Sequence, residues 1–88
     1  WGRRHHEYLR RNKQITLSSL QISGKLNSYL ADIDRQAEEM FELLVNQMAA
    51  AEGVTEQLKA ADQMAWTGTM NSIRNRVIEI VNSELICR

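Results

Sequence analysis

KLNSYLADIDRQAEEMFELLVNQMAAAE, residues Lys25 to Glu52, is the stretch that decides the fold. It lies between Gly24 and Gly53 and is rich in Leu, Ala, Glu, Gln and Met, side chains that lose little freedom in a helix. Leu26, Leu30, Ile33, Ala37, Met40, Leu44 and Met48 recur at steps of three and four, which aligns them along one edge of a single helix. The segment therefore reads as one helix of about 42 Å. Gly53 suits the position just past its end, where a left-handed backbone costs a residue without Cβ little.

Downstream, Thr55 followed by Glu56 reads as a cap with an acidic first turn, opening a short helix that ends near Ala61. Asp62 suits the cap of the next. Trp66, Met70, Ile73, Val77, Ile80 and Leu85 then form a second apolar seam of about 35 Å, so the two long helices are expected to face each other as an antiparallel hairpin. Gly68, between two threonines, predicts a bend or a close backbone approach. Phe41, Leu43, Val45, Ile78, Val81 and Ile86 fall off the two seams and need further cover. Either the N-terminal helices or a second copy of the chain, completing a dimeric four-helix bundle, would supply it.

Upstream, Arg3 to Arg11 reads as a helix because Glu7 can pair with Arg3 and Arg11 one turn away, while Tyr8 and Leu9 give it an apolar edge. Ile15, Leu17, Leu20 and Ile22 are spaced by two, three and two, which matches neither the helical nor the strand period; a short helix ending before Gly24 is favoured over an extended stretch. There is no proline and there are only four glycines, so the punctuation of a many-stranded fold is missing. The fold class is all-α: a long antiparallel helical hairpin with two short N-terminal helices, in one helical domain over residues 1–88. A chain of 88 residues buries only about 60–65% of its unfolded surface, so a partner would add stability.

Composition and motifs exclude several classes of function. Apolar residues make up 43% of the chain and 11 basic side chains balance 11 acidic ones, so a disordered polyelectrolyte is ruled out. No apolar run spans a membrane and no signal segment is visible. The single Cys87 cannot form an internal disulfide, and His5 and His6, about 100° apart on a helix, cannot share a metal, so both read as surface histidines. Phosphate loops, catalytic triads and Glu-x-x-His metal motifs are absent. The expectation is an intracellular protein that is not an enzyme, with no cofactor, no metal and no membrane association.

Charge supplies the candidate sites. Residues 1–25 carry Arg3, Arg4, Arg10, Arg11, Lys13 and Lys25 against Glu7, whereas residues 26–64 carry eight acids against Arg35 and Lys59. The first block reads as a phosphate-contacting surface, to be weighed against an ordinary solvated face or a face docked on the chain's own acidic helix. Asp34, Glu38 and Glu42 form one stripe at four-residue spacing, whose mutual repulsion a basic partner would relieve. That stripe, with the extra apolar face, supports the alternative of a protein-interaction module or inhibitor. A self-associating bundle without a ligand is the third reading.

Trp1-Gly2 with Arg4-His5 and Tyr8-Leu9, the run Ser23-Gly24-Lys25-Leu26-Asn27-Ser28-Tyr29-Leu30-Ala31-Asp32-Ile33-Asp34-Arg35-Gln36-Ala37, the segment Glu52-Gly53-Val54-Thr55-Glu56, and Met70-Asn71-Ser72-Ile73-Arg74-Asn75-Arg76 together resemble the TnpV family of transposon-encoded proteins. The resemblance implies a small cytoplasmic protein of a mobile element, with an accessory role in mobility. By that analogy it contacts DNA in the manner of an excisionase, or engages the element's recombinase or a host protein. It also implies a further segment ahead of Trp1. An excisionase-type winged helix needs a β-hairpin wing, however, and no convincing pair of strands is present in the sequence.

Overall fold

A computed structural model describes residues 1–87; Arg88, counted among the basic side chains, lies outside the described residues. Among those residues there are five α-helices and no strand: α1 (Gly2–Asn12), α2 (Gln14–Ile22), α3 (Leu26–Ala51), α4 (Glu56–Ala61) and α5 (Gln63–Val81), the last continuing into a π-helical turn, Asn82–Ile86. The molecule is a rod of 55 × 20 × 18 Å.

The helix boundaries follow from local chemistry. α2 and α3 end alike, each with a glycine at φ +72°, Gly24 and Gly53. In both, the residue after the glycine donates its N–H five residues back, Lys25 to the Leu20 carbonyl at 3.0 Å and Val54 to that of Ala49 at 2.8 Å, which satisfies carbonyls the helix end leaves free. Val54 is thereby folded under the end of α3 and joins the core. The Thr55 hydroxyl accepts from the Leu58 N–H at 3.2 Å and the Asp62 carboxylate from the Ala65 N–H at 3.1 Å, so both expected caps are present.

The core runs along α3 and α5. Ile33, Ala37 and Val45 of α3 meet Met70, Ile73, Val77 and Val81 of α5, with Ile86 from the π turn and Val54 at one end. Arg76 bonds Glu52 at 2.9 Å at the end of α3, whereas Ile86, later in the chain, shares a histidine partner with Tyr29 near its start. One detail of the second seam differs from expectation. Val81 and Ile86 are fully buried, whereas Ile80 remains 38% exposed and Leu85 only flanks the core. Val81 faces inward because it lies four residues after the buried Val77 in regular α-helix. The π turn accounts for Ile86: its hydrogen bond from the Cys87 N–H to the Asn82 carbonyl, 2.7 Å, spans five residues, so a side chain five positions after Val81 returns to the same face.

The N-terminal layer covers part of the off-seam surface. α1 packs on α3 and on the π turn, and Trp1 stands against Phe41 with ring centroids 6.0 Å apart. α2 resolves its awkward spacing by having two apolar sides: Leu17 is buried and Leu20 half-buried, while Ile15 and Ile22 face solvent. Gly68 makes no close approach, since nothing lies within 4 Å of a Cβ built there, and α5 passes through it unbroken. Leu43 and Met64 stay exposed.

Candidate functional site

The site is assembled on α1, and α1 is held by its inner edge. Trp1, His5 and Leu9 lie one turn apart, and His5 and Leu9 are both 3% exposed. His5 is thus a core residue, correcting the expectation that both histidines sit on the surface; His6 is half-buried beside it. The His5 Nδ1 lies 2.6 Å from the Ile86 carbonyl oxygen. A carbonyl only accepts, so Nδ1 donates to it, and in the neutral ring Nε2 then accepts from the Tyr29 hydroxyl at 2.7 Å. The ring also stacks near Tyr8, with centroids 6.2 Å apart at 23°. One side chain thereby ties α1 to α3 and to the end of α5.

The start of α1 is fixed by Asp34 of α3, which accepts from the Trp1 nitrogen at 3.2 Å and the Gly2 N–H at 3.3 Å. Gly2 permits the approach, because a Cβ there would stand 3.1 Å from the Leu30 carbonyl oxygen.

With that edge docked, the opposite arc of α1 faces outward and carries Arg3, Arg4, Glu7, Arg10 and Arg11. Glu7 sits among the arginines. Arg10 donates to it at 2.7 and 3.2 Å and Arg11 at 2.8 Å, and these bonds, that from Arg10 leading, lower the pKa of its carboxyl. Arg4 donates to the Asn82 side chain at 3.4 Å and lies 5.5 Å above the Trp1 ring. Arg3 and Arg4 line one open groove with Glu7, Asn82 and Cys87. Lys13, at the α1–α2 junction, and Lys25, at the α2–α3 turn, are exposed and have no ion-pair partner among the described residues. The structure therefore gathers four arginines on one face, while no described contact joins Lys13 or Lys25 to them.

The acidic stripe is divided. Asp34 is engaged by the start of α1, whereas Glu38 and Glu42 are exposed without an ion-pair partner among the described residues; neighbouring Glu39 pairs with Arg35 at 3.1 Å. No group of three or more His, Cys, Asp or Glu gathers at metal-binding distance among the described residues, and no helix among them is long and apolar enough to cross a membrane. Cys87 is an exposed free thiol.

Residues 1–86 match the family model described as transposon-encoded protein TnpV. The chain belongs to the TnpV family. That match spans the docking residues Trp1, Gly2, His5, Tyr29 and Asp34 and the arginine arc alike. Comparison with curated proteins and with solved structures gave no match. TnpV membership ties the chain to a transposon, and the absence of any strand among the described residues leaves no β-wing there for an excisionase-type reader.

Sequence reasoning missed His5 as an anchor. A signal was present, since His5 stands four residues from both Trp1 and Leu9 and so falls on the apolar edge of α1.

Proposed function

We propose that the protein is a non-enzymatic accessory factor of its mobile element, acting by contact between the outer arc of α1 and the phosphates of DNA. The observation that carries this reading is the grouping of Arg3, Arg4, Arg10 and Arg11 on the solvent side of a helix whose other edge is locked into the core. Guanidinium groups match phosphate oxygens in geometry and charge, and backbone contacts of this kind give affinity without sequence selectivity. Glu7 orients Arg10 and Arg11 and leaves the arc with a net positive charge. Lys13 and Lys25 extend the basic surface toward α2.

In this reading α3 and α5 form an antiparallel hairpin that serves as a rigid frame within a single domain. The protein works in the cytoplasm and needs no metal or cofactor. The test is a gel-shift or anisotropy titration: an Arg10→Ala/Arg11→Ala variant binds all DNA sequences more weakly by a similar factor. Failure of the wild-type protein to bind any duplex at low salt refutes it.

Glu38 and Glu42, without an ion-pair partner among the described residues, together with the exposed Leu43 on the same helix, favour a second reading as a docking surface for a basic protein such as the element's recombinase or a host factor. Glu38→Gln/Glu42→Gln then abolishes capture of that protein and leaves DNA affinity unchanged.

A further inference from the structure

α2 contains no charged residue, and its outer side is apolar at the centre: Ile15 is 89% and Ile22 87% exposed. With Gln14, Ser18, Ser19 and Ser23 they line a shallow open groove. At about 100° per residue, Ile15 and Ile22 fall on the midline of this face, Ser18 and Ser19 to either side, and Gln14 and Ser23 at its margins. The arrangement is a palindrome about the point between Ser18 and Ser19. Rotating the helix by half a turn about an axis through that point exchanges Ile15 with Ile22, Ser18 with Ser19 and Gln14 with Ser23.

We propose that this face pairs with the same face of a second copy, the two α2 helices lying antiparallel about a two-fold axis. A self-complementary patch is what a two-fold dimer requires. Each Ile15 would pack beside the partner copy's second isoleucine, and the serines let the helix axes come close. The six residues carry no charge, so the centre of the contact buries none. Six side chains bury on the order of 400 Å² per copy, about half the roughly 800 Å² per partner of a standard interface, which sets a weak and concentration-dependent association. Lys13 and Lys25 flank the two ends, and antiparallel pairing sets Lys13 of one copy near the other copy's second lysine. Their repulsion selects against tight binding and makes the dimer respond to salt in the opposite sense to DNA contact.

Sedimentation equilibrium on the full chain from about 10 μM to about 1 mM tests this. The expected result is reversible dimerisation that strengthens several-fold when salt is raised and the flanking lysines are screened. Ile15→Ser/Ile22→Ser weakens it at least tenfold; both side chains are exposed, so helicity and melting temperature serve as controls that folding is intact. Lys25→Glu tightens it, because opposite charges then meet at both ends of an antiparallel pair. A wild-type monomer at every concentration overturns the proposal and leaves the face to a partner of different sequence. Dimerisation indifferent to the isoleucine change, or weakened by Lys25→Glu, overturns it as well.

Discussion

Replacing His5 with alanine removes the one side chain that bonds α1 to α3 and to the π turn at once. Its two hydrogen bonds, 2.6 Å to the Ile86 carbonyl and 2.7 Å to the Tyr29 hydroxyl, contribute on the order of 1 kcal/mol each net of solvation. The ring is 3% exposed, and its lost packing adds about 1–2 kcal/mol. His5→Ala should therefore cost about 3–4 kcal/mol, a large share of the roughly 5–15 kcal/mol that holds small domains together. Tyr29→Phe should cost about 1–2 kcal/mol, because Nδ1 must keep its proton for the carbonyl and the ring cannot change tautomer to relieve the abandoned Nε2. The double variant should cost little more than His5→Ala alone, since the same bond is removed twice. Urea denaturation followed by circular dichroism measures all three. His5→Ala within about 0.5 kcal/mol of wild type, or full additivity of the pair, would refute the reasoning.

Other perturbations test the remaining structure. Val81→Ala and Ile86→Ala, both fully buried, should each destabilise by about 2–4 kcal/mol and Ile80→Ala by well under 1 kcal/mol; the reverse order in thermal melts would contradict the register at the end of α5 and in the π turn. Gly2→Ala should lose about 1 kcal/mol despite alanine's better helix propensity, because the new Cβ meets the rigid Leu30 carbonyl at 3.1 Å; a more stable variant in the same melts would show that the close approach is absent. The folded Glu7 carboxyl has its pKa lowered by Arg10 and then Arg11, so its contribution is complete above the ordinary value of 4.5 and fades as pH falls through the folded value. The stability gap between wild type and Glu7→Gln, measured by denaturation against pH, should accordingly be widest near neutrality and close in acid; a gap that widens in acid would reverse the sign.

Much of the frame was legible in the chain because it rests on local chemistry. Gly24 and Gly53 mark α3 because each supplies the left-handed residue that a helix end needs, and Thr55 and Asp62 start α4 and α5 because their oxygens reach free N–H groups. The register from Val81 onward was not legible: the expected seam ran through Ile80 and Leu85, each one position short of the inward-facing Val81 and Ile86, and the π turn that returns Ile86 to the core leaves no mark in the residue types. His5 was hidden by its neighbours: set among arginines and Glu7, it reads as surface until Tyr29 and the Ile86 carbonyl, both distant in sequence, are brought to it. Asp34 was legible as part of an acidic stripe, but its engagement with the Trp1 and Gly2 nitrogens depends on how α1 docks. The arginine arc was visible as a charge block, whereas its division from Lys13 and Lys25 required the turn between helices.

The salt dependence of duplex binding bears most directly on the account. If the arc engages phosphates through about four arginines, the logarithm of the association constant should fall linearly with the logarithm of salt concentration, with a slope of about −3 to −4. An Arg10→Ala/Arg11→Ala variant should flatten that slope by about half. Binding that ignores salt, or a slope unchanged in the variant, would contradict it.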